Sequence, residues 1–339
     1  MKQYLEKIIE KEDLSFDEAF TVMNEVMTGN VNHSLLAGFL VALKTKGETP
    51  AEVAGFAKAM RENCIKIQCD DENAIDVCGT GGDNSGSFNI STAVAFTAAG
   101  AGVKVAKHGN RSISSKSGSA DVLQNLGVNI NLSRDESEKA LKEIGIAFLF
   151  APLYHPAMKY AAPVRKELAM KTVFNMLGPL TNPAGVKKQL IGTFNRKAAK
   201  TMAEAAEYLD FEKACFVCSN DSYDEVYLGD ITEIHEYNKS QKVKTYTITN
   251  DSFNYPKISE EDIKGDTAEI NAQIILDVLE NKNRNGAFHT ISANSALALY
   301  CSGYSDNLNE CQKAAEDSIL SGAAFAKLNE LKKYSNQLD

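Results

Sequence analysis

The sequence predicts an α/β protein, with a small all-helical domain and a larger α/β domain built on a mostly parallel central sheet. Three observations predict this. Residues 1–66 carry helix start and stop signals but no strand pattern. From Ile75 onward, short apolar runs rich in β-branched residues alternate with helical segments of about ten residues, which indicates βαβ units. At 339 residues, the chain exceeds the usual size of one hydrophobic core.

The expected division assigns residues 1–66 to the helical domain, and residues 67–154 and 186–339 to the α/β domain. The stretch HPAMKYAAPVRKELAMKTVFNMLGPLTNPAG, residues 155–185, has helical spacing and no strand pattern. We therefore expect helices within about 155–185 to return to the first domain and complete it. The chain should close with helices from about Gly265 onward.

Helix starts in the first domain are marked twice by capping-box spacing. Ser15 precedes Glu18 by three residues, and Thr49 precedes Glu52 by three, so each hydroxyl and carboxylate can satisfy backbone N–H groups of the first turn. The intervening segment HSLLAGFLVALKTKG is apolar almost all round, so more than one of its faces should be covered. Other helices of the chain or another subunit would satisfy this requirement equally well.

The strands of the α/β domain are predicted from the same alternation. In chain order they are the apolar runs IDVC, VKVAKH, VNINL, IAFLF, QLIGTF and CFVC. The stretches VYLGDITEIHEYN and KVKTYTITN are expected as antiparallel additions to the sheet. Within CFVC, Cys215 and Cys218 would point to opposite faces of the strand, so we expect two small buried hydrophobes rather than a metal or disulfide pair.

Composition and charge argue against several classes of protein. A net charge of −9 and a pI near 5.3 disfavour bulk attraction to nucleic acid or anionic lipid. No apolar run approaches the roughly 18 residues of a membrane span, and MKQYLEKIIEKED has acids where a secretory signal needs an apolar core. The seven scattered cysteines fit reduced thiols. We expect a cytoplasmic protein that binds neither nucleic acid nor membrane.

The stretch IDVCGTGGDNSGSFNIST, residues 75–92, passes from a buried strand through four glycines to hydroxyl side chains at a helix start. Such a loop lets backbone amides approach a phosphate, although a tight turn would look the same. It lacks the GK[ST] ending of a P-loop, and Asn84 stands where the dinucleotide fingerprint needs its third glycine. Asn89, Ser91 and Thr92 could cap the helix, contact phosphate or lend an oxygen to a metal.

Three further loops are expected to face the same crevice, because ligands bind at the carboxyl ends of parallel strands. AKHGNR ends one strand and supplies a cationic turn; SGSAD opens a helix, where its second serine could cap that helix or bind an anion; and an acidic pair follows CFVC. Carboxylates there would suit magnesium, although solvated surface acids are the simpler interpretation. The residues concerned are Lys107, His108, Asn110, Arg111, Ser119, Asp224 and Glu225.

Eight motifs taken in order resemble one family closely. They are GTGGD, NIST, KHGNR, SGSAD, HPAM, PVRKEL, FNMLGPLTNPAG and the acidic pair. Together they resemble the anthranilate phosphoribosyltransferases over nearly the whole chain. The resemblance implies a small helical domain joined to an α/β domain, usually as a homodimer through the small domain. It also implies transfer of the phosphoribosyl group of 5-phosphoribosyl 1-pyrophosphate (PRPP) to the amine of anthranilate, in tryptophan biosynthesis.

The resemblance also implies roles for matching residues. PRPP would be bound by Gly79, Gly82, Asp83, Ser87, Asn89, Ser91, Thr92, Lys107 and Ser119. Anthranilate would be bound by Gly79, Asn110 and Arg165, with His108 nearby. Two magnesium sites per subunit would use Ser91, Asp224 and Glu225. No residue is expected to act as a nucleophile or general base, since positioning and electrostatics suffice for this displacement. His108 and His155 are expected to be structural, with His155 as a helix cap.

Three departures from the family pattern concern local contacts. Asn84 replaces a glycine, Ser87 a threonine, and Lys171 an arginine, so the hydroxyl and the charge are kept but the bidentate fork is lost. The rival interpretations are a pyrimidine nucleoside phosphorylase, a nucleic-acid-binding relative of the same fold, and a nicotinamide dehydrogenase. The first has other motifs at KHGNR and SGSAD, the second needs a basic surface, and the third needs the missing glycine.

Overall fold

The computed structural model describes residues 1–82, 85–112 and 116–337. Asp83 and Asn84, both named above, lie outside the described residues. The remaining sequence predictions fall within them.

The N-terminal unit is formed by four helices, and both predicted capping boxes are present. The hydroxyl of Ser15 accepts from the N–H of Glu18 at 3.2 Å, and the Glu18 carboxylate accepts from the N–H of Ser15 at 2.8 Å. Thr49 and Glu52 exchange the same two bonds at 3.3 and 2.8 Å. The helices are α1 (Lys2–Ile9), α2 (Phe16–Met27), α3 (His33–Lys46) and α4 (Pro50–Glu62).

A seven-stranded sheet follows, in the spatial order β3-β2-β1-β4-β5-β6-β7. The first five strands of that order are parallel, and β6 and β7 are added antiparallel, as the sequence predicts. The strands are β1 (Ile75–Gly79), β2 (Val105–Gly109), β3 (Ile146–Phe150), β4 (Lys188–Gly192), β5 (Lys213–Ser219), β6 (Thr232–Asn238) and β7 (Lys242–Ile248).

The other helices connect and cover these strands. On either side of β2 lie α5 (Ile90–Gly100), α6 (Ser119–Asn125) and α7 (Arg134–Glu143). After β3 comes α8 (Ala151–Tyr154), and the predicted strandless stretch then holds α9 (Ala162–Leu168) and α10 (Phe174–Leu177), with short 3-10 turns at Pro156–Tyr160 and Pro179–Thr181. After it come α11 (Arg196–Ala205), α12 (Ala268–Leu279), α13 (Gly286–Ser302), α14 (Leu308–Leu320) and α15 (Ala323–Asn336), with 3-10 turns at Ala206–Tyr208, Asn250–Phe253 and Glu260–Asp262. No described helix is long and apolar enough to cross a membrane.

The two faces of the sheet belong to different apolar clusters. One face packs against α5, α12 and α13, and includes Val77 and Cys215. The other face includes Phe216 and Cys218 and packs against α11, the four N-terminal helices and the 161–180 stretch in one continuous cluster. Cys215 and Cys218 are both fully buried on opposite faces, which confirms the prediction made for them. The division into the two domains stated above stays a prediction.

One predicted strand is wrong. The run VNINL, residues 128–132, forms a connector rather than a strand, although Val128, Ile130 and Leu132 are buried. The N–H of Asn129 donates to the hydroxyl of Ser335 at 3.0 Å, so the C-terminal helix supplies a partner that a neighbouring strand would otherwise supply. Alternation of apolar residues shows burial on one side, and here a helix provides that burial.

The two edges of the sheet differ. The edge strand β3 is buried at all five positions and lies under α7, α8 and α15. The opposite edge strand β7 is mostly exposed and carries Lys242 and Lys244 on its surface.

Candidate active site

The candidate site lies where the strand order reverses. From β1 the chain proceeds to β2 on one side, and it later returns to β4 on the other side. Their carboxyl ends are level, since Gly79 pairs with Gly192 and the N–H of Thr80 donates to the Gly192 carbonyl at 2.9 Å. A crevice at such a reversal is the usual ligand site of an open parallel sheet.

Two glycines without a Cβ allow the acidic loop to approach the carboxyl ends of β1 and β4. A Cβ at Gly79 would lie 2.4 Å from Oδ2 of Asp224, and a Cβ at Gly192 would lie 1.6 Å from the Asp224 backbone oxygen. The N–H of Gly81 also donates to Oδ2 of Asp224 at 3.3 Å. The structure therefore brings the predicted acidic residue against the predicted glycine loop. Gly192 was missed from sequence, although a glycine ending a strand beside Gly79 was the available signal.

The cationic turn meets the same loop through Lys107. Its ammonium donates to the Val77 carbonyl at 2.6 Å and to the hydroxyl of Ser91 at 3.1 Å. Lys107 is 3% exposed, and burial lowers its pKa from the ordinary lysine value. A cation on β2 and a hydroxyl at the start of α5 thus meet behind the glycine loop.

The remaining residues of the loop have distinct environments. Gly81 and Gly82 have φ angles of +61° and +71°, a region that favours glycine. Ser87 is half-buried, and its hydroxyl lies 3.1 Å from that of Ser85. Thr92 is fully buried, and its hydroxyl has no hydrogen-bond partner within the described part of the chain.

Asn89 occupies the N-cap position of α5 without capping it through its side chain. Its Oδ1 accepts from the hydroxyl of Ser117 at 3.2 Å and from Nδ2 of Asn271 at 3.0 Å. Asn89 therefore joins the glycine loop to the SGSAD loop and to α12. Asn271, which is buried on α12, was also missed from sequence.

The turns after β2 and before α6 are held together. The hydroxyl of Ser119 donates to the Asn110 carbonyl at 3.3 Å, and no side-chain bond of its own caps α6. Arg111 donates to Asp121 at 2.6 Å, and the same carboxylate accepts from the N–H of Gly118 at 3.0 Å. Asn110 itself is exposed at the rim of the crevice.

Two histidines line the side that faces the N-terminal unit. The rings of His108 and His155 have centroids 5.2 Å apart, and both residues are buried. Burial lowers the pKa of His108 to about 3 and that of His155 to about 4. Both rings are therefore neutral at physiological pH. His155 occupies the predicted cap position, between α8 and the 3-10 turn at Pro156–Tyr160, but its ring makes no capping bond and packs on His108 instead.

A buried polar network fixes this side of the sheet. Asp76 is fully buried on β1, and its carboxylate accepts from the N–H of His108 at 3.0 Å and from Nε2 of Gln189 at 3.0 Å. Gln189 also donates to the Pro179 carbonyl at 3.0 Å. Burial raises the pKa of Asp76. The signal for these residues was an acid within a strand predicted to be buried.

Arg165 lies on α9, in the segment that packs on the same face of the sheet as the N-terminal helices. Its guanidinium lies 5.1 Å from the ring centroid of Phe174, and burial lowers its pKa. Lys171 lies between Arg165 and Phe174 in the sequence. Its ammonium is 4.7 Å from the ring centroid of Phe194.

The residues present fit a magnesium ion that shares its coordination with a substrate. Among residues 1–82, 85–112 and 116–337, no cluster of three or more His, Cys, Asp or Glu could hold a metal alone. Asp224 nevertheless reaches the glycine loop because Gly79 and Gly192 lack a Cβ. Magnesium commonly takes one or two carboxylates and completes its shell with water and substrate phosphate, and this donor set suits that arrangement.

The fold and the site define a glycosyltransferase with a helical bundle and an α/β domain. The model of the glycosyl transferase family a/b domain matches residues 71–325, and that of the family's helical bundle domain matches residues 2–64. Within that class, the chain belongs to the anthranilate phosphoribosyltransferase family.

Relatives and solved structures agree along the whole chain. The chain is 45% identical over 339 residues to anthranilate phosphoribosyltransferase of Thermoanaerobacter sp. strain X514, with 100% of both chains covered. It superposes on the crystal structure of anthranilate phosphoribosyltransferase from Thermus thermophilus with a TM-score of 0.91 and 36% identity, covering 98% and 99% of the two chains. The Saccharomyces cerevisiae enzyme in complex with PRPP and Mg gives a TM-score of 0.90 at 26% identity, covering 99% and 98%.

Proposed function

We propose that this chain transfers the 5-phosphoribosyl group of PRPP to the amine of anthranilate, giving N-(5-phosphoribosyl)anthranilate and pyrophosphate, in tryptophan biosynthesis. The observation that carries the proposal is the Asp224 carboxylate, which lies against Gly79 and Gly192 at the strand-order reversal, beside a glycine loop and a buried lysine. That arrangement suits a magnesium-bound diphosphate. The names of the relatives support the choice of acceptor.

PRPP is assigned to the side of the crevice formed by the glycine loop and α5. Backbone amides of the loop and the start of α5 would bind the phosphates, and Lys107 would add a positive charge behind them. Within this set Thr92 has the least access, because its side chain is fully buried. The residues assigned are Gly79, Gly82, Asp83, Ser87, Asn89, Ser91, Thr92, Lys107 and Ser119.

Asp224, Glu225 and Ser91 would hold magnesium, with two ions per subunit. Bound magnesium supplies Lewis-acid neutralisation of the charge that develops on the departing pyrophosphate. Lys107 donates to Ser91 at 3.1 Å, so the chain itself helps to orient that hydroxyl.

The reaction breaks the bond between the ribose anomeric carbon and pyrophosphate, and forms a bond from that carbon to the amine nitrogen. The anomeric carbon gains positive character as pyrophosphate leaves, so the chain acts by holding both reactants in line and stabilising the leaving charge. The nitrogen of anthranilate is weakly basic and already neutral near pH 7. Its extra proton is lost as the new bond forms, and no side chain is required as nucleophile or strong base.

Anthranilate is assigned to the side that carries Arg165, His108 and Asn110, with Gly79 between the two substrates. Arg165 would pair with the anthranilate carboxylate, and a charge-assisted hydrogen bond of this kind contributes about 1.5–3 kcal/mol. Neutral His108 places an uncharged ring beside an aromatic substrate, so the carboxylate is steered to the guanidinium rather than to a second cation.

The assembly is proposed to be a homodimer formed through the helical domain, residues 1–66 completed by helices within about 155–185. Exposed apolar side chains on the first and third helices support this surface, since Ile9 is 60% and Val41 41% exposed. We also place the enzyme in the cytoplasm.

The test follows anthranilate fluorescence with purified protein, PRPP and magnesium. We expect the anthranilate fluorescence to fall only when protein, PRPP and magnesium are all present. If folded protein, checked by circular dichroism, leaves the fluorescence unchanged, the assignment is wrong, and thymidine with phosphate would be tried next for the nucleoside phosphorylase alternative.

A further inference from the structure

The acidic pair lies on a loop, and a metal site needs its ligands held closely. Asp224 and Glu225 lie between the end of β5 and the start of β6, whereas Ser91 lies in the first turn of α5. Magnesium demands near-ideal octahedral geometry with ligand distances of about 2.0–2.1 Å, so a loop that drifts by even ~1 Å would lose it. Some part of the chain must therefore fix the acidic loop relative to α5.

Asn294 makes that connection from the middle of α13. Its Nδ2 donates to the Val226 carbonyl at 2.9 Å, and its Oδ1 accepts from the Val226 N–H at 2.9 Å. A single side-chain amide thus holds both backbone groups of the residue that follows Glu225. Asn294 is 3% exposed, so these bonds are made where water does not compete.

Ser219 supplies a second anchor from the end of β5. Its hydroxyl donates to the Glu225 carbonyl at 2.5 Å and accepts from the N–H of Tyr227 at 3.0 Å. The backbone on either side of Val226 is therefore held as well, by a residue that is fully buried.

The position of α13 explains why an asparagine is used there. This helix packs against α5, which carries Ser91, and against β4, which ends at Gly192. Nearly every residue of α13 is buried, and a leucine at position 294 would fill a similar volume without burying a polar group. The amide instead links the acidic loop to the helix that supports Ser91.

We infer that Asn294 is a positioning residue for magnesium, which sets the acidic pair in register with Ser91 through the backbone of Val226. This inference rests on the proposed function and names no new ligand of the metal. Residues that orient metal ligands without touching the ion typically alter metal affinity by about 10–100-fold when they are replaced.

The experiment compares Asn294→Leu with the wild-type enzyme. The dissociation constant of Mn²⁺ is measured by titration in the presence of PRPP and absence of anthranilate, with free Mn²⁺ followed by electron paramagnetic resonance. The Mg²⁺ concentration for half-maximal turnover is measured in parallel. Both quantities should rise about tenfold, while the Michaelis constant for anthranilate at saturating Mg²⁺ changes less than about twofold.

Ser295→Ala is the matched control, because Ser295 is the next residue of the same helix, is fully buried, and has a hydroxyl without a hydrogen-bond partner in the described part of the chain. It should leave both metal measurements unchanged. If Asn294→Leu lowers the melting temperature but leaves both metal measurements at wild-type values, Asn294 is merely structural and the inference is wrong.

Ser219→Ala tests the same loop if Asn294→Leu does not fold. It should weaken Mn²⁺ binding in the same direction by about threefold or more, and unchanged affinity would overturn the inference. A wild-type enzyme without turnover would instead refute the proposed function. Wild-type turnover with unaltered metal dependence in these variants would refute only the role of Asn294.

Discussion

The two sides of the crevice differ in charge and in construction. The side towards α5 carries Lys107, Asp224 and the glycine loop, so it offers full charges and backbone amides. The side towards the N-terminal unit carries His108 and His155, two buried rings that burial keeps neutral by lowering each pKa.

Strand alternation produces this difference. Lys107 and His108 are consecutive residues of β2, so their side chains point to opposite faces of the sheet. One strand end thus presents a cation to the proposed diphosphate side and a neutral ring to the proposed anthranilate side. Neighbouring residues can therefore serve substrates of different chemistry without interfering.

The largest effect is expected from removing charge on the α5 side alone. Asp224→Asn combined with Glu225→Gln should lower magnesium-dependent turnover at least ~10³-fold, because the leaving pyrophosphate loses its electrostatic stabilisation. Steady-state kinetics across a Mg²⁺ series measure this, with Asp230→Asn as a control from the same loop. Turnover within tenfold of wild type would show that the acidic pair does not stabilise the leaving pyrophosphate as proposed.

A change on the opposite side should affect the other substrate. Arg165→Ala should raise the Michaelis constant for anthranilate about 10–100-fold, as loss of a charge-assisted hydrogen bond predicts, and leave that for PRPP within about twofold. Lys166→Ala, at the neighbouring exposed position, is the control. An unchanged Michaelis constant for anthranilate would show that Arg165 does not bind this substrate.

The close approach of the two loops can be tested through Gly192. Gly192→Ala places a Cβ where the Asp224 backbone lies, so the acidic loop must shift. The free energy of unfolding should therefore fall by about 1–3 kcal/mol. Urea unfolding measures this. Gly38→Ala is the control, since its Cβ would meet nothing closer than 3.8 Å, and equal effects of both substitutions would contradict the packing described.

The smallest effect concerns pH. Because the pKa of His108 is about 3 and that of His155 about 4, whereas unfolded histidine titrates near 6.5, the unfolded chain binds more protons below pH 6.5. The free energy of unfolding therefore falls on acidification below that pH. Each of these two histidines lowers it by about 1 kcal/mol between pH 6.5 and 5.5.

Urea unfolding at the two pH values measures this loss. His155→Asn should reduce this loss by about 1 kcal/mol, and His33→Asn, at an exposed position, is the control. If His155→Asn has the same pH dependence as wild type, burial does not keep the His155 ring neutral.

Much of this architecture follows from local sequence. The capping boxes, the βαβ alternation and the antiparallel additions are local patterns, so they predict elements well. VNINL failed because alternation reports burial without stating whether a strand or a helix covers the residues. At the site, glycines and charges at strand ends were visible from sequence.

The supporting contacts were less accessible to sequence. Asn294 reaches Val226, 68 residues away, and Asp76 reaches Gln189, 113 residues away. Such pairs depend on which elements pack together, and only a polar residue within an apolar run marks them beforehand. The contact between the rings of His155 and His108 was missed for the same reason, because the two residues come from different elements.

The contrast between the two sheet edges bears on how copies of the chain can associate. An uncovered edge strand offers unpaired backbone groups to any strand that meets it, and lysines on such an edge oppose that pairing. With β3 covered by helices and β7 carrying Lys242 and Lys244, neither edge is a good template for strand addition. The covering of one edge and the lysines of the other thereby oppose fibrous aggregation of crowded or newly made copies.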